Sequence, residues 1–440
     1  MFDSSIIGSK LWVERDEFFA YFQDVARNKL NLVPHTTFNA KVLSATCVNN
    51  QWTLEVQDVK TGAITRHTHS FVMCSVGQLN IPWIPEPLEK TRDKFEGFQF
   101  HSARWPANAD LKGKRVACIG TGSSAIQFCP RVAEEAKELI VFQRSPGYMV
   151  EKHNYRYPEF VKMIFRYVPF ARLALRYYHL VYAEIFLYHL IIKDSGQKPT
   201  KSNLFFTKAL QDEMKQHLPE SQHDKLIPKE TLGCKRFLLS SEWLEMFKKD
   251  HVKLVVDPVT EITATGLKTA SGQEFKDIDV IIYGTGFETG SFFKNLPVSV
   301  VDDKTQTTYE LHKDIWKNIP RAYRGVTFDK VPNFACTYGP NTNVNHSTII
   351  SLMEAEVNHF GELVSKVIAE KKNKFVVTTE AYERFNKEEQ AELDKTAFSA
   401  DCNSWYRRND GNRILNNWHG SLIGFWMTVS RPDFNDYQVA

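Results

Sequence analysis

One short stretch carries residue types suited to holding a phosphate. Gly120-Thr121-Gly122-Ser123-Ser124-Ala125 has G-x-G-x-x-A spacing. In such a turn the first glycine allows the sharp bend. The second lets the backbone approach a pyrophosphate, and the small third residue permits close helix–strand packing. A following helix would add free N–H groups and the positive end of its dipole. After the next apolar run the chain reads Gln143-Arg144-Ser145. A ribose with a free 2′-hydroxyl is usually met at that position by Asp or Glu. A guanidinium binds a 2′-phosphate bidentately, where a carboxylate would repel it. These residues predict a site for NADPH rather than NADH on Gly120, Thr121, Gly122, Ser123, Ser124, Arg144 and Ser145.

Such a site needs a strand, a turn, a helix and a second strand. Val116–Ile119 reads as a buried parallel strand, Ile126–Ala136 as a helix and Leu139–Phe142 as the next strand. Upstream, 14–30 shows helical spacing. Ala40–Ala45, Trp52–Val56 and Ile64–His67 read as short antiparallel strands joined by Asn-Asn and Thr-Gly turns. Ser70–Gly77 is a buried strand ending at glycine, followed by a Pro-rich crossover over 80–87. The segment 205–250 reads as helical and 251–269 as a strand meander. Asp279–Phe287 is a buried strand ending in Gly-Thr-Gly, and Thr348–Ile368 a helix. Phe160–Lys193 is rich in aromatics, but Arg166, Arg172, Arg176 and Glu184 interrupt it and Pro169 breaks it. It is too charged to span a bilayer, which takes about 20 apolar residues. It reads as amphipathic helices covering the nucleotide domain, with a membrane surface or a partner helix as alternatives.

Composition narrows the class. The 440 residues are 42% hydrophobic, enough for two or three domains with substantial cores. A net charge of +3 without a basic tract argues against nucleic acid. Seven cysteines, without C-x-x-C spacing, indicate neither a disulfide framework nor a metal site, and they fit a reducing cytoplasm. The first residues lack a basic stretch followed by an apolar one, so no signal peptide is expected.

Directly before the glycine turn stands Phe95-Glu96-Gly97-Phe98-Gln99-Phe100-His101-Ser102-Ala103-Arg104-Trp105-Pro106. On residue types alone, Gly97 permits a bend, and His101 and Trp105 are either packed core residues or a clamp on an interdomain linker. The pattern F-x-G-x-x-x-H-x-x-x-W-P resembles the fingerprint of the Baeyer–Villiger monooxygenases, carried here by Phe95, Gly97, His101, Trp105 and Pro106. Those flavoproteins use NADPH and O₂ to insert oxygen beside a ketone carbonyl, giving an ester or lactone. The likeness runs from about Trp12 to Gly420. It implies an α/β fold of two Rossmann-like dinucleotide-binding domains, with FAD and NADPH as cofactors and a small ketone as substrate. It also implies roles. Arg236 matches the arginine that stabilises the negatively charged peroxyflavin, and Lys235 the lysine near the NADP phosphate, although a Lys-Arg pair alone can be plain surface charge. Asn341 and Thr342 match a loop whose amides face the flavin. Trp405, in the segment 402–406 with Gly411 and Asn412 beyond it, matches a tryptophan lying against NADP; a packed tryptophan is the bland alternative.

The implied organisation is 1–105 as part of the FAD domain, 106–284 as the NADP domain with a helical insertion at about 155–250, and 285–440 as the rest of the FAD domain. The family opens with a G-x-G-x-x-G that holds the ADP part of FAD, and none occurs before Gly77. The sequence therefore leaves open an incomplete gene product, a truncated NADPH-binding remnant, and FAD held in another way or completed by an oligomer partner. An N- or S-oxidising flavin monooxygenase is the alternative activity.

Overall fold

The computed structural model describes residues 8–290, 292–302, 305–402, 404–407 and 413–440. Five short strands make the sheet that carries the glycine turn: β1 (Phe98–His101), β2 (Arg115–Ile119), β3 (Glu138–Phe142), β4 (Val252–Val255) and β5 (Val280–Tyr283). Their order is β4-β3-β2-β5-β1, and every neighbouring pair is parallel. β2, β3 and β5 are apolar almost throughout because both of their faces are covered. Helix α1 (Ala125–Glu135) lies on one face and buries Ala125, Ile126, Cys129, Val132 and Ala133. That spacing is the apolar stripe of an amphipathic helix. Burying Ile126 or Val132 contributes about 1.5–3 kcal/mol each.

Register decides what this sheet presents. Ile119 pairs with Phe142 and with Tyr283, and Tyr283 pairs with His101. His101, Gly120, Gln143 and Gly284 therefore share one carboxyl edge, the edge at which open α/β sheets bind ligands. β1 lies upstream of 106 but belongs to this sheet.

The rest of the chain forms a second body. Ala40–Val48, Gln51–Asp58 and Ile64–His69 make an antiparallel meander, extended by Val298–Val301 and Thr308–Glu310. Its first turn uses Asn49 and Asn50 at φ 50° and 62°, as a tight hairpin between twisted strands requires. Val72–Cys74 pairs in parallel with Phe334–Cys336, and the long helix Ile349–Ala369 packs nearby.

Four expectations are corrected. Val252–Val255 is not part of a meander but the edge strand of the parallel sheet; the antiparallel unit is Val259–Thr263, Gly266–Thr269 and Glu274–Phe275. Within 205–250 the long helix ends at Gln216, and short turns and a two-residue strand, Leu238–Leu239, follow. The helices α2 (Glu159–Tyr167) and α3 (Ala171–Tyr182) do not cover the nucleotide sheet, for neither buries a residue. The continuation Ala183–Ile192 packs inward, and Leu180 near the end of α3 packs against the core of the second body. Finally, Cys234 and Cys402 form a disulfide, with Cα atoms 6.5 Å apart. Cys74, Cys118, Cys129 and Cys336 keep free thiols. Among the described residues no helix is long and apolar enough to cross a membrane.

Candidate functional site

The turn after β2 is shaped by close approach. Gly120 has φ +109°, and a Cβ there would collide with the Gly284 carbonyl. The Gly120 N–H donates to Phe142 O at 3.0 Å and the Gly284 N–H to Ile119 O at 2.8 Å, which locks the three strand ends together. Gly284 must itself stay small, since a Cβ would meet Ile119 O at 3.2 Å. Gly122 is the opposite case: nothing lies within 4 Å of its virtual Cβ. Gly122, Ser123 and Ser124 are exposed, and Ser124 caps α1 without a side-chain bond. The Ile126 N–H bonds back to Gly122 O and the Gln127 N–H to Ser124 O, so the amides left open among the described residues are those of Ser123, Ser124 and Ala125, at the very start of the helix.

Beyond β3, Gln143 is buried and donates to Lys225 O, whereas Arg144 is exposed. No ion pair holds the Arg144 guanidinium among the described residues. Thr121 Oγ1 donates to Ser145 O at 3.4 Å. Lys235 Nζ donates to Ser145 Oγ at 3.0 Å and to Glu230 Oε1 at 2.8 Å. The predicted phosphate residues Gly120, Thr121, Gly122, Ser123, Ser124, Arg144, Ser145 and Lys235 therefore meet at one edge. Glu230 is a functional neighbour that the sequence did not disclose. Its carboxylate fixes Lys235 and partly neutralises it.

The F-x-G-x-x-x-H-x-x-x-W-P stretch winds around the same edge. A Cβ on Gly97 would fall 2.7 Å from Asp279 O and 2.6 Å from the Phe95 ring, so only glycine fits between β1 and the start of β5. His101 is buried at the end of β1, where Nδ1 accepts from the Ala103 N–H at 3.1 Å. Its ring faces Phe287 at 6.0 Å, and burial pulls its pKa down, so it is neutral at physiological pH. It clamps the two crossings between sheet and second body. Trp105 packs edge-on against Phe100 and against Phe128 of α1, and Pro106 follows it. Trp105 thus braces the helix behind the glycine turn rather than facing the turn itself.

The second body brings a loop to this region. Asn341 is buried at φ +59°, and its Nδ2 donates to Ile414 O and Asn417 O. Thr342 Oγ1 donates to Gly339 O. Both side chains are consumed inside the protein. The Asn341 and Asn343 amides are taken by Leu415 and Asn416 carbonyls, leaving the Thr342 amide without a described partner. Other polar atoms here are buried and unpaired: both ring nitrogens of His346, Asn345 Nδ2, and the side-chain oxygens of Asn416 and Asn417. Burial pushes the His346 pKa down to about 4. Glu356, wholly buried, accepts from the Tyr338 N–H at 2.8 Å, and burial raises its carboxyl to about 8. Helical spacing could have found it, because Leu352, Ala355, Glu356, His359 and Leu363 form one face.

Arg236 is exposed. It follows Lys235 directly, and its charge reaches Tyr338 and Tyr406 of the second body. Burial raises both phenols, and the Arg236 guanidinium opposes that rise. The Cys234–Cys402 disulfide tethers the same loop to the segment of Trp405. Trp405 stays 42% exposed and meets the Tyr406 ring at a tilt of 55°, so it is not a core residue. Gly411 and Asn412 lie outside the described residues. Glu230 and the two sulfurs lie within 4.8 Å of one another, but the sulfurs are bonded and Lys235 takes the carboxylate. A cleft of about 800 Å³ lined by Glu96, Asn108, Lys114 and Asp277 sits at the opposite, amino ends of the strands, away from this chemistry.

Fold and site define a two-bodied α/β dinucleotide-binding protein in which one loop serves both bodies. The flavin-binding monooxygenase-like family matches residues 10–183. The chain is 32% identical over 437 residues to the FAD-binding monooxygenase ktnD of Aspergillus niger, covering 96% of this chain and 69% of that protein. It is 29% identical to a Baeyer-Villiger monooxygenase of Streptomyces coelicolor, covering 96% and 78%. The chain spans 65% of a third relative, the FAD-binding monooxygenase BOA2 of Botryotinia fuckeliana. In fold it resembles OTEMO, solved with FAD and NADP, at a TM-score of 0.82 and 24% identity over 98% of this chain and 86% of that one. The chain belongs to the flavin-binding monooxygenase family, among its Baeyer–Villiger members.

Proposed function

We propose that this protein is an NADPH- and FAD-dependent monooxygenase that inserts one oxygen atom from O₂ beside a ketone carbonyl. The observation that carries the reading is the Lys235–Arg236 loop: one cation bonds Ser145 at the phosphate edge, and the charge of the next opposes the burial-raised pKa of Tyr338 and Tyr406 in the second body.

The residues fit a 2′-phosphorylated nucleotide. The space over Gly122 is what a pyrophosphate needs, and a Cβ would fill it. The open amides of α1 take the pyrophosphate, and Arg144 with Lys235 takes the 2′-phosphate. The fit to FAD is good at the ring end, where His346, Asn345, Asn416 and Asn417 have polar atoms to spare. Among the described residues no second glycine turn of this type serves its ADP end. When bound, FAD supplies oxygen activation and NADPH supplies the electrons.

The chain's own contribution is positional and electrostatic. Arg236 is an exposed permanent cation beside Tyr406 of the second body, suited to an oxygen anion developing near it. Glu356 holds its proton at neutral pH, so it adds no opposing negative charge to the Tyr338 loop. His101 and the disulfide hold the bodies in register. We place 106–284 with β1 as the NADP domain, and 1–105 without β1 together with 285–440 as the FAD domain. The cysteines outside the disulfide fit the cytoplasmic setting expected from the sequence, and the Cys234–Cys402 disulfide stands against it.

The test is reconstitution with FAD followed by NADPH oxidation with a ketone, an amine or a thioether. The reading expects flavin uptake, faster oxidation with the ketone, and an ester or lactone product. A chain that takes up no flavin, or oxidises only the amine or thioether, overturns it.

A further inference from the structure

The helices α2 and α3 form a hairpin that buries none of its residues, yet carries many large apolar side chains. Tyr167 is 72% exposed and Phe170 is 78% exposed. Leu173, Tyr177 and Val181 recur every fourth residue along α3, and all are exposed. Apolar side chains scattered singly need no partner, but a contiguous aromatic patch marks a surface that something covers. The tip is built to project. After Pro169, Phe170 sits at φ +64°, a conformation that costs a bulky residue, and its ring gains no packing in return.

Charge says what covers it. Between Glu159 and Glu184 there is no carboxylate, but there are Lys162, Arg166, Arg172 and Arg176. Glu159 is paired to Lys162, and Glu184 is buried, accepting from the Leu422 N–H. Arg166, Arg172 and Arg176 have no ion pair among the described residues. Exposed aromatics at a projecting tip, flanked by unpaired arginines, are the composition of a helix that lies in a lipid headgroup layer. Neither α2 nor α3 is long and apolar enough to cross, so the contact is with one leaflet.

We propose that the α2–α3 hairpin docks this protein on a membrane surface bearing anionic lipid headgroups. The aromatic tip enters the headgroup layer and the arginines pair with lipid phosphates and carboxylates. The hairpin continues through Ala183–Ile192, whose Tyr188 ring lies 5.4 Å from His346, so the docked face adjoins the unpaired polar cluster of the site.

The test is co-sedimentation of the full chain with vesicles of phosphatidylcholine alone, and of phosphatidylcholine with phosphatidylserine in equal parts. Binding is expected to the anionic vesicles, much weaker binding to the neutral ones, and release by salt. Replacing Arg166, Arg172 and Arg176 together by Gln should weaken anionic binding on the order of 100-fold, about fivefold per charge. The Tyr167→Ser, Phe170→Ser pair should weaken it as well. In F170W the tryptophan fluorescence should shift to the blue on adding anionic vesicles. Arg166, Arg176, Tyr167 and Phe170 are exposed and Arg172 is half-buried at the surface, so circular dichroism should not change. No vesicle binding, or equal binding to neutral vesicles, overturns the proposal. So does a dimer, seen by sedimentation velocity, that Tyr167→Ser with Phe170→Ser dissociates, because a second copy would then be the covering surface.

Discussion

The two halves of the site are built on opposite plans. At the carboxyl edge of the parallel sheet the backbone is locked while the ligand side is empty: Gly120 is wedged against Gly284, and Gly122 faces open space. In the loop 338–346 nearly everything is buried, and the polar groups bond within the protein or to nothing. The first arrangement holds its shape without a ligand. The second keeps a raised carboxyl, an uncharged histidine and several orphaned polar atoms, each of which costs stability unless a partner arrives.

That contrast can be broken or sharpened by substitution. The largest effect belongs to the buried loop. The Glu356 carboxyl is raised from its usual 4.5 to about 8, so the folded state holds its proton longer than the unfolded chain. The stability tied to this group is fully present below about pH 4.5 and is lost as pH rises to about 8, on the order of 4 kcal/mol across the range. Glu356→Gln removes the titration. Urea unfolding should show the variant gaining on the parent from about pH 5 to about pH 8. A constant difference would mean Glu356 is ionised already.

Gly120→Ala comes next. It should cost about 3 kcal/mol through the collision with Gly284 and the positive φ, read as a lowered unfolding midpoint together with lost NADPH binding. Arg144→Ala should weaken NADPH about 30-fold, or about 2 kcal/mol, and leave NADH unchanged, by fluorescence titration. Equal losses would remove the 2′-phosphate from the account. The smallest stability effect sharpens the contrast most. Gly122→Ala should shift stability by less than about 0.5 kcal/mol, because its Cβ meets no atom, and still reduce NADPH binding at least tenfold.

The empty half was the legible one. Strand, glycine turn, helix, strand and Arg144 all stand within a short span, and local periodicity reports such units well. β1 escaped and β4 was read into the wrong sheet because their partners are far away in sequence: Phe98–His101 pairs with β5, and Val252–Val255 with β3. Short apolar runs do not declare which sheet they join. Glu230 carries no pattern of its own and matters only because the fold brings Lys235 to it. Cys234 and Cys402 are 168 residues apart with no local signal to pair them. The hairpin α2–α3 shows a further limit. Its amphipathic spacing was visible, but spacing cannot say whether the apolar face meets the protein or something outside it.

The account stands most directly on where the inserted oxygen comes from. With the FAD-reconstituted protein, NADPH and a ketone under isotopically heavy O₂, mass spectrometry should find one heavy oxygen atom in the ester or lactone product. An unlabelled product, or NADPH consumed with only hydrogen peroxide formed, would contradict it.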